Sequence, residues 1–209
     1  MNTFLGRMDD DEDEKEEKGE KGPNKWTPLE QSLFESRIIQ ISGPVNSKLA
    51  HEVNKQLLAM EAKDADKPIF LFINSPGGEV TSGFSIYDTA KFIRPEIHTV
   101  VTGLAASMGS LIALCAEKKN RVSFPNAKFL IHQPLITGVL QGPASDLEIH
   151  ARDIIRLKEK INRLYAEETG QPYDTVQKAT DRDNWLDPED ALKFGLISRI
   201  IKKRSDLKI

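Results

Sequence analysis

Apolar residues follow two alternating periods between residues 35 and 118. Short apolar runs predict three strands, at residues 37–42, 67–73 and 96–103. Stretches with helical spacing predict three helices, at residues 47–63, 79–94 and 108–118. This alternation predicts βαβ units with right-handed crossovers, and therefore an α/β fold. No internal sequence repeat is visible.

A long amphipathic segment follows at residues 144–169. Ser145 and Glu148 have the spacing of a capping box, and Gly170 is placed to end the helix. About twenty-four helical residues span about 36 Å, which is longer than a core of this size needs. The helix either lies across its own domain or projects and buries its apolar stripe against another subunit. The stripe consists of Leu147, Ala151, Ile154, Leu157, Ile161 and Leu164, widened by Ile155 and Tyr165.

Two strand-to-helix junctions carry residues suited to catalysis. The first, residues 74–78, reads Asn-Ser-Pro-Gly-Gly, and its glycines let backbone N–H groups approach an anion without a Cβ in the way. The second holds Ser107 in Gly-Leu-Ala-Ala-Ser-Met-Gly, where a tight turn would expose the hydroxyl. Ala105 replaces the first glycine of a Gly-x-Ser-x-Gly elbow. The structural alternatives are an ordinary loop and a serine that only caps a helix.

His132 is the histidine best placed to act as a base, twenty-five residues after Ser107. It ends the apolar run 129–131 and precedes Gln133-Pro134, so its side chain can emerge at a sheet edge. Surface or packing roles are the default for His51, His98 and His150. The residues alone leave the acid open among four aspartates, Asp174, Asp181, Asp183 and Asp187.

These motifs, taken in chain order, resemble those of the ClpP family, the proteolytic subunit of the ATP-dependent Clp protease. The resemblance runs from about residue 31 to 201 and rests on residues 73–78, 103–109, 131–134, 148–152 and 181–183. It implies a ClpP/crotonase-like spiral of ββα units at residues 25–209. A projecting handle, a long helix plus a strand, would occupy about residues 133–170.

The resemblance also implies a serine endopeptidase. Ser107 would be the nucleophile, His132 the base and Asp183 the carboxylate that orients the histidine. The backbone N–H groups of Gly78 and Met108 would form the oxyanion hole. The order Ser-His-Asp differs from that of the α/β-hydrolases, which argues against an esterase.

The assembly implied by the resemblance is a homo-oligomer of two heptameric rings, a tetradecamer. Asp181 and Arg182 would lie at the contact between rings, and unfolded polypeptides would bind as an added strand. A Clp-type AAA+ unfoldase would use the ATP, since the chain has no Gly-x-x-x-x-Gly-Lys-Ser/Thr loop, and we expect no cofactor here. Phe70 and Phe72 match aromatic positions of the unfoldase docking pocket, although they could equally be core.

Residues 136–143 are the expected handle strand. This stretch is about two residues longer than the common pattern and carries Pro143 where glutamine is frequent. We therefore expect a changed cleft shape and an altered peptide preference.

The acidic N-terminus is expected to be a separate segment, residues 1–24. Residues 1–22 hold nine acids and four bases, a net charge of −5, which leaves +2 for the rest. Such a segment buries too little apolar surface to order itself and is expected to be disordered. It resembles neither the less acidic segment that forms axial loops in many family members nor the propeptide of others, and we expect no signal peptide here.

Composition favours an intracellular globular enzyme of one domain, since 39% of 209 residues are hydrophobic. The lone Cys115 favours a reducing compartment, and we expect the cytoplasm. A net charge of −3 without a basic stripe argues against nucleic acid. The uncharged residues 100–116 break into strand, turn and helix, so we do not interpret them as a membrane span. No Cys/His cluster has metal-ligand spacing.

Two other functions stay open. A crotonase-like acyl-CoA enzyme would share the spiral and the backbone oxyanion hole, but it would not need Ser107, His132 and Asp183. The stronger rival is a non-catalytic or partner-dependent subunit that enters a mixed ring with a paralogue.

Overall fold

The sheet of the computed structural model is mostly parallel and follows from the buried apolar runs. The structure describes residues 27–135 and 141–207, and within them the sheet has seven strands. They are β1 (Ile38–Ser42), β2 (Ile69–Ser75), β3 (Ile97–Ala106), β4 (Arg121–Ser123), β5 (Lys128–Ile131), β6 (Asn184–Leu186) and β7 (Arg199–Ile200). The main path is β1-β2-β3-β4-β7, and β5 pairs in parallel with the end of β3. Only β6, which pairs with β5, runs antiparallel.

Helices connect and cover these strands. In the described residues they are α1 (Pro28–Glu35), α2 (Ser47–Lys63), α3 (Val80–Phe92), α4 (Met108–Ala113), α5 (Ala144–Thr169), α6 (Tyr173–Ala179) and α7 (Pro188–Phe194). Two short 3-10 turns, Lys118–Asn120 and Arg204–Asp206, complete the list. The α/β prediction is confirmed. No helix in the described part of the chain is both long and apolar enough to cross a bilayer.

The core lies on both faces of the sheet, as expected for strands covered on each side. Along β2, Leu71 and its alternate neighbours pack with residues of α2 and α3, such as Val53 and Ile86. Phe70 points the other way and packs with Val100 and other residues of a smaller cluster. The strand is therefore hydrophobic on both faces, which is why its sequence is a continuous apolar run.

Two predicted boundaries around the serine turn are wrong. The strand continues to Ala106 instead of ending at residue 103, because its last residues pair with β5. The following helix ends at Ala113 instead of residue 118. The Thr99 hydroxyl donates to the Ala113 carbonyl over 2.8 Å, and the chain then passes into the 3-10 turn Lys118–Asn120.

Helix α5 has the predicted bounds and ends at Gly170, which adopts a left-handed φ of 79°. The predicted capping box at Ser145 is wrong, because Pro143 takes the N-cap position and places Ser145 inside the first turn. Only the C-terminal half of the helix is buried on its own domain. Exposed apolar residues remain in the other half: Leu147, Ile149 and Ile155.

The predicted tail at residues 1–24 lies outside the described residues. Most of the expected handle strand, residues 136–140, also lies outside them.

Candidate active site

Ser107 occupies the turn that joins β3 to α4, with a left-handed φ of 53°. Its N–H donates to the Leu130 carbonyl over 2.9 Å. Its own carbonyl accepts from the Ser110 N–H over 3.0 Å. Such a backbone is costly for a residue with a Cβ, so hydrogen bonds on both sides are needed to hold it. The turn presents the side chain to a cleft rather than to the core.

The two glycine-rich junctions pack directly against each other. A Cβ on Gly77 would lie 2.6 Å from the Ala106 carbonyl oxygen and 2.8 Å from the Cβ of Ser107. On the other side, a Cβ on Gly109 would lie 2.9 Å from the Ser75 carbonyl oxygen. The glycines are thus required because backbone meets backbone around the serine.

The two predicted oxyanion-hole residues line the same cleft. Val45 pairs with the residues on both sides of Gly78. The Val45 N–H donates to the Gly77 carbonyl over 2.8 Å, and the Val45 carbonyl accepts from the Glu79 N–H over 2.9 Å. The N–H of Gly78 and that of Met108 have no acceptor among the described residues. Both residues line the cleft with Ser107, so an oxyanion there could accept from them.

His132 and Asp183 are joined by strand register. β5 and β6 pair antiparallel, and their last ladder pair is Ile131 with Asn184. One step further along the same register, Nδ1 of His132 lies 2.9 Å from Oδ1 of Asp183. The imidazole side chain is 13% exposed and the carboxylate 65%, so the acid meets the histidine from the solvent side.

The cleft beside Ser107 holds four of the predicted site residues, namely Gly78, Ser107, Met108 and His132. Asp183 stands behind His132. No hydrogen bond joins the Ser107 hydroxyl to His132 within the described part of the chain. The walls are mostly apolar: Val45, Pro76, Glu79, Val80, Leu111, Leu130, Pro134, Leu135, Ile161 and Tyr165. This arrangement places a serine, a histidine and two residues with backbone N–H groups around one mostly apolar cleft.

The other candidate acids have different partners. Asp187 caps α7 by accepting from the Asp190 N–H over 2.9 Å, and Asp174 lies in the first turn of α6. The Asp181 carboxylate accepts from Lys158 over 3.3 Å. Among these four aspartates, Asp183 is the one that reaches the imidazole.

The remaining predicted positions keep their roles as predictions. Arg182 projects into solvent, with its side chain 91% exposed, and the Asp181 side chain beside it is half-exposed. An inter-ring contact through these two residues stays a prediction. Phe70 is 1% exposed and stacks near His98, with ring centroids 4.8 Å apart. Phe72 is half-buried. Docking of an unfoldase on these two phenylalanines is likewise untested.

A cysteine nucleophile is excluded by burial. Cys115 is a fully buried free thiol, and this burial raises its pKa to about 12. The thiolate that would attack a substrate is therefore absent at neutral pH.

Three features near the site have no clear signal in the sequence. The strand β6 is only three residues long. A bridge of hydrogen bonds runs from Lys158 to Gln133 (2.9 Å) and from Gln133 to the Asp181 carbonyl (2.6 Å). The hydroxyl groups of Ser110 and Tyr165 lie 2.6 Å apart. The last two depend on side chains that are distant in the chain, and no local pattern indicates them.

A family model described as Clp protease matches residues 20–204. The chain is also similar to the ATP-dependent Clp protease proteolytic subunit 3 of Rhizobium johnstonii. The two are 48% identical over 178 residues, which cover 85% of this chain and 90% of the relative.

Proposed function

Because the chain belongs to the Clp protease family, we propose that it is a serine endopeptidase acting through Ser107, His132 and Asp183. The observation that carries this proposal is the His132–Asp183 hydrogen bond at the edge of the cleft that contains Ser107. A carboxylate on Nδ1 fixes the tautomer in which Nε2 can accept a proton. The resemblance to a family of proteases supplies the type of reaction.

In the proposed mechanism, the Ser107 hydroxyl attacks the peptide carbonyl carbon while His132 takes its proton. The negative charge on the carbonyl oxygen is stabilised by the N–H groups of Gly78 and Met108. His132 then gives the proton to the leaving amine, and an acyl-enzyme forms on Ser107. Water, deprotonated by the same imidazole, releases the second product. Asp183 keeps its charge and stabilises the imidazolium throughout.

The proposed substrates are short peptides and unfolded polypeptides bound in extended form. The cleft walls are mostly apolar, and an added strand is held by main-chain hydrogen bonds that depend little on sequence. Enclosure of the active sites inside a barrel would then protect folded proteins from cleavage. We propose that two stacked heptameric rings form this barrel. The name of the relative includes ATP dependence, so a separate Clp-type ATPase would unfold and deliver substrates. The lone buried thiol supports a cytoplasmic setting.

A partner-dependent subunit is the second candidate. It is favoured by one observation, the absence of a hydrogen bond between the Ser107 hydroxyl and His132 in the described chain. Assembly with a paralogue in a mixed ring would then complete the alignment of the two side chains.

The test is the intact mass of the purified full-length chain after treatment with a fluorophosphonate. We expect one adduct on the wild-type chain and none on Ser107→Ala. Cleavage of a fluorogenic peptide should disappear with the same substitution. A folded, oligomeric wild-type sample without any adduct would contradict an active site in this chain alone. The same measurement after addition of a paralogue would then test the second candidate.

A further inference from the structure

Helix α5 contacts the serine turn through a pair of buried hydroxyl groups. Tyr165 Oη lies 2.6 Å from Ser110 Oγ, although the residues are 55 positions apart in the chain. Each residue is 1% exposed. Ser110 belongs to the first turn of α4, three residues after Ser107. The pair therefore connects the long helix to the short helix that follows the nucleophile.

The direction of these hydrogen bonds follows from the acceptor at their end. Ser110 Oγ lies 2.7 Å from the Ser107 carbonyl oxygen, which can only accept, so the serine hydroxyl is the donor there. The same oxygen must then accept from Tyr165. Burial raises the pKa of Tyr165, which keeps its phenol protonated and able to donate. The chain of donation runs from Tyr165 through Ser110 to the Ser107 carbonyl.

The Ser110 hydroxyl also lies near a second possible acceptor, and this makes the hydrogen bond from Tyr165 important for its position. Ser110 Oγ also lies 3.3 Å from the Leu130 carbonyl oxygen, which already accepts from the Ser107 N–H. Donation from Tyr165 fixes the position of the serine hydroxyl between these two carbonyls. Without it, the Ser110 hydroxyl can turn towards Leu130, and the Ser107 carbonyl keeps only its backbone donors, the N–H groups of Ser110 and Leu111. The turn that holds Ser107 at a left-handed φ would lose one of its restraints.

We propose that Tyr165 is a positioning residue for the nucleophile, acting through Ser110. This inference rests on the proposed function of Ser107. The alternative is that Tyr165 is only a core aromatic ring, since it belongs to the main hydrophobic cluster. Phenylalanine would serve that packing role equally well, so removal of the hydroxyl alone separates the two.

The experiment compares the rate of fluorophosphonate labelling in four full-length chains: wild type, Tyr165→Phe, Ser110→Ala and the double variant. Tyr87→Phe is the matched control. It removes another tyrosine hydroxyl that bonds to α5, through Glu168 at 2.7 Å, but it does not touch the serine turn. Peptide cleavage gives kcat and KM, and thermal unfolding gives stability at the same protein concentration.

We expect each single variant to label about tenfold more slowly than wild type, because a small misplacement of a nucleophile is costly. The double variant should label at the same reduced rate as Ser110→Ala, since both changes break one chain of hydrogen bonds. In peptide cleavage kcat should fall while KM stays within about twofold. Tyr87→Phe should label at the wild-type rate.

A structural role gives a different pattern. Ser110→Ala leaves the Tyr165 hydroxyl buried without a partner, whereas the double variant removes both groups and should recover stability. If the labelling rate recovers together with stability, or if all variants label at the wild-type rate, the positioning role is overturned and Ser107 remains the nucleophile. If the wild-type chain is not labelled, the proposed function itself fails.

Discussion

Arg121 and Glu168 form an ion pair at the C-terminal end of α5, with side-chain exposures of 2% and 17%. The guanidinium also donates to the carbonyls of Ala116 and Glu168, each over 2.7 Å. The other carboxylate oxygen of Glu168 accepts from Tyr87 and from Lys91, also over 2.7 Å. The end of α5 is thus fixed by buried charge to the strand and helix beside it.

Glu168→Gln should destabilise the fold strongly, because it leaves the Arg121 guanidinium buried without a counter-charge. We expect a loss of about 3–5 kcal/mol in the free energy of unfolding. Lys91→Met is the control, since this more exposed lysine should contribute at most about 1 kcal/mol. Urea denaturation at pH 7 measures both. Equal losses in the two variants would contradict the importance of the buried pair.

Asp183→Asn should lower kcat by about 10⁴-fold, because an amide cannot hold His132 in the required tautomer. Asp187→Asn is the control. That carboxylate caps α7 through the Asp190 N–H, and asparagine caps equally well, so activity and stability should stay at the wild-type level. Steady-state peptide cleavage measures the effect. A kcat for Asp183→Asn within about tenfold of wild type would assign the acid to another residue.

Gly77→Ala should displace the serine turn. The added Cβ would lie within 3 Å of three atoms of residues 106–108. We expect activity to fall by about 10²-fold or more while circular dichroism stays native. Gly170→Ala is matched in backbone strain, because both glycines have a left-handed φ, but nothing lies within 4 Å of its Cβ. It should cost about 1 kcal/mol of stability and leave the rate unchanged. A similar rate for both variants would show that the contact at Gly77 is unimportant.

Stability should fall as the pH drops below about 6.5, in part because of His98. Burial lowers the pKa of this histidine, and nearby Glu96 opposes the effect only partly. Because the folded-state pKa is lowered, the unfolded chain binds the proton at a higher pH than the folded chain does. The stability contributed by neutral His98 is therefore present above pH 6.5 and is lost as the pH falls below it. His98→Gln should reduce the drop in melting temperature between pH 7.5 and 5.0. His51→Gln, on an exposed helix surface, should leave that drop unchanged; equal behaviour of the two variants would contradict the prediction.

Local patterns were sufficient for the helices α2 and α5. Both have strong apolar stripes, and their bounds match the prediction. The pattern was insufficient at the end of α4, where the Ala113 carbonyl accepts a hydrogen bond from the Thr99 hydroxyl, fourteen residues earlier in the chain. The strand β6 has three residues and an exposed Trp185, so no alternation marks it. Its existence depends on pairing with β5.

The candidate site likewise contains residues that local sequence patterns predict and residues that they do not. Ser107 and the glycines at 77 and 78 could be predicted because each lies at a strand-to-helix junction that is visible in the sequence. The residues alone left Asp183 among four candidates, and only the resemblance selected it. The reason is physical, because strand register brings Asp183 to His132 and register is a property of two distant segments. The hydrogen bond between Tyr165 and Ser110 could not be predicted either, because it also joins two distant segments of the chain.

The antiparallel pairing of β5 and β6 also has an evolutionary consequence. It holds the two ends of the segment between His132 and Asp183 side by side, because Ile131 and Asn184 are a ladder pair. Insertions or deletions inside this segment leave the distance between base and acid unchanged, as long as the three ladder pairs stay in register. The number of residues in this segment can therefore vary without changing how His132 meets Asp183. Selection on assembly and on peptide preference can act there independently of selection on the hydrolytic step.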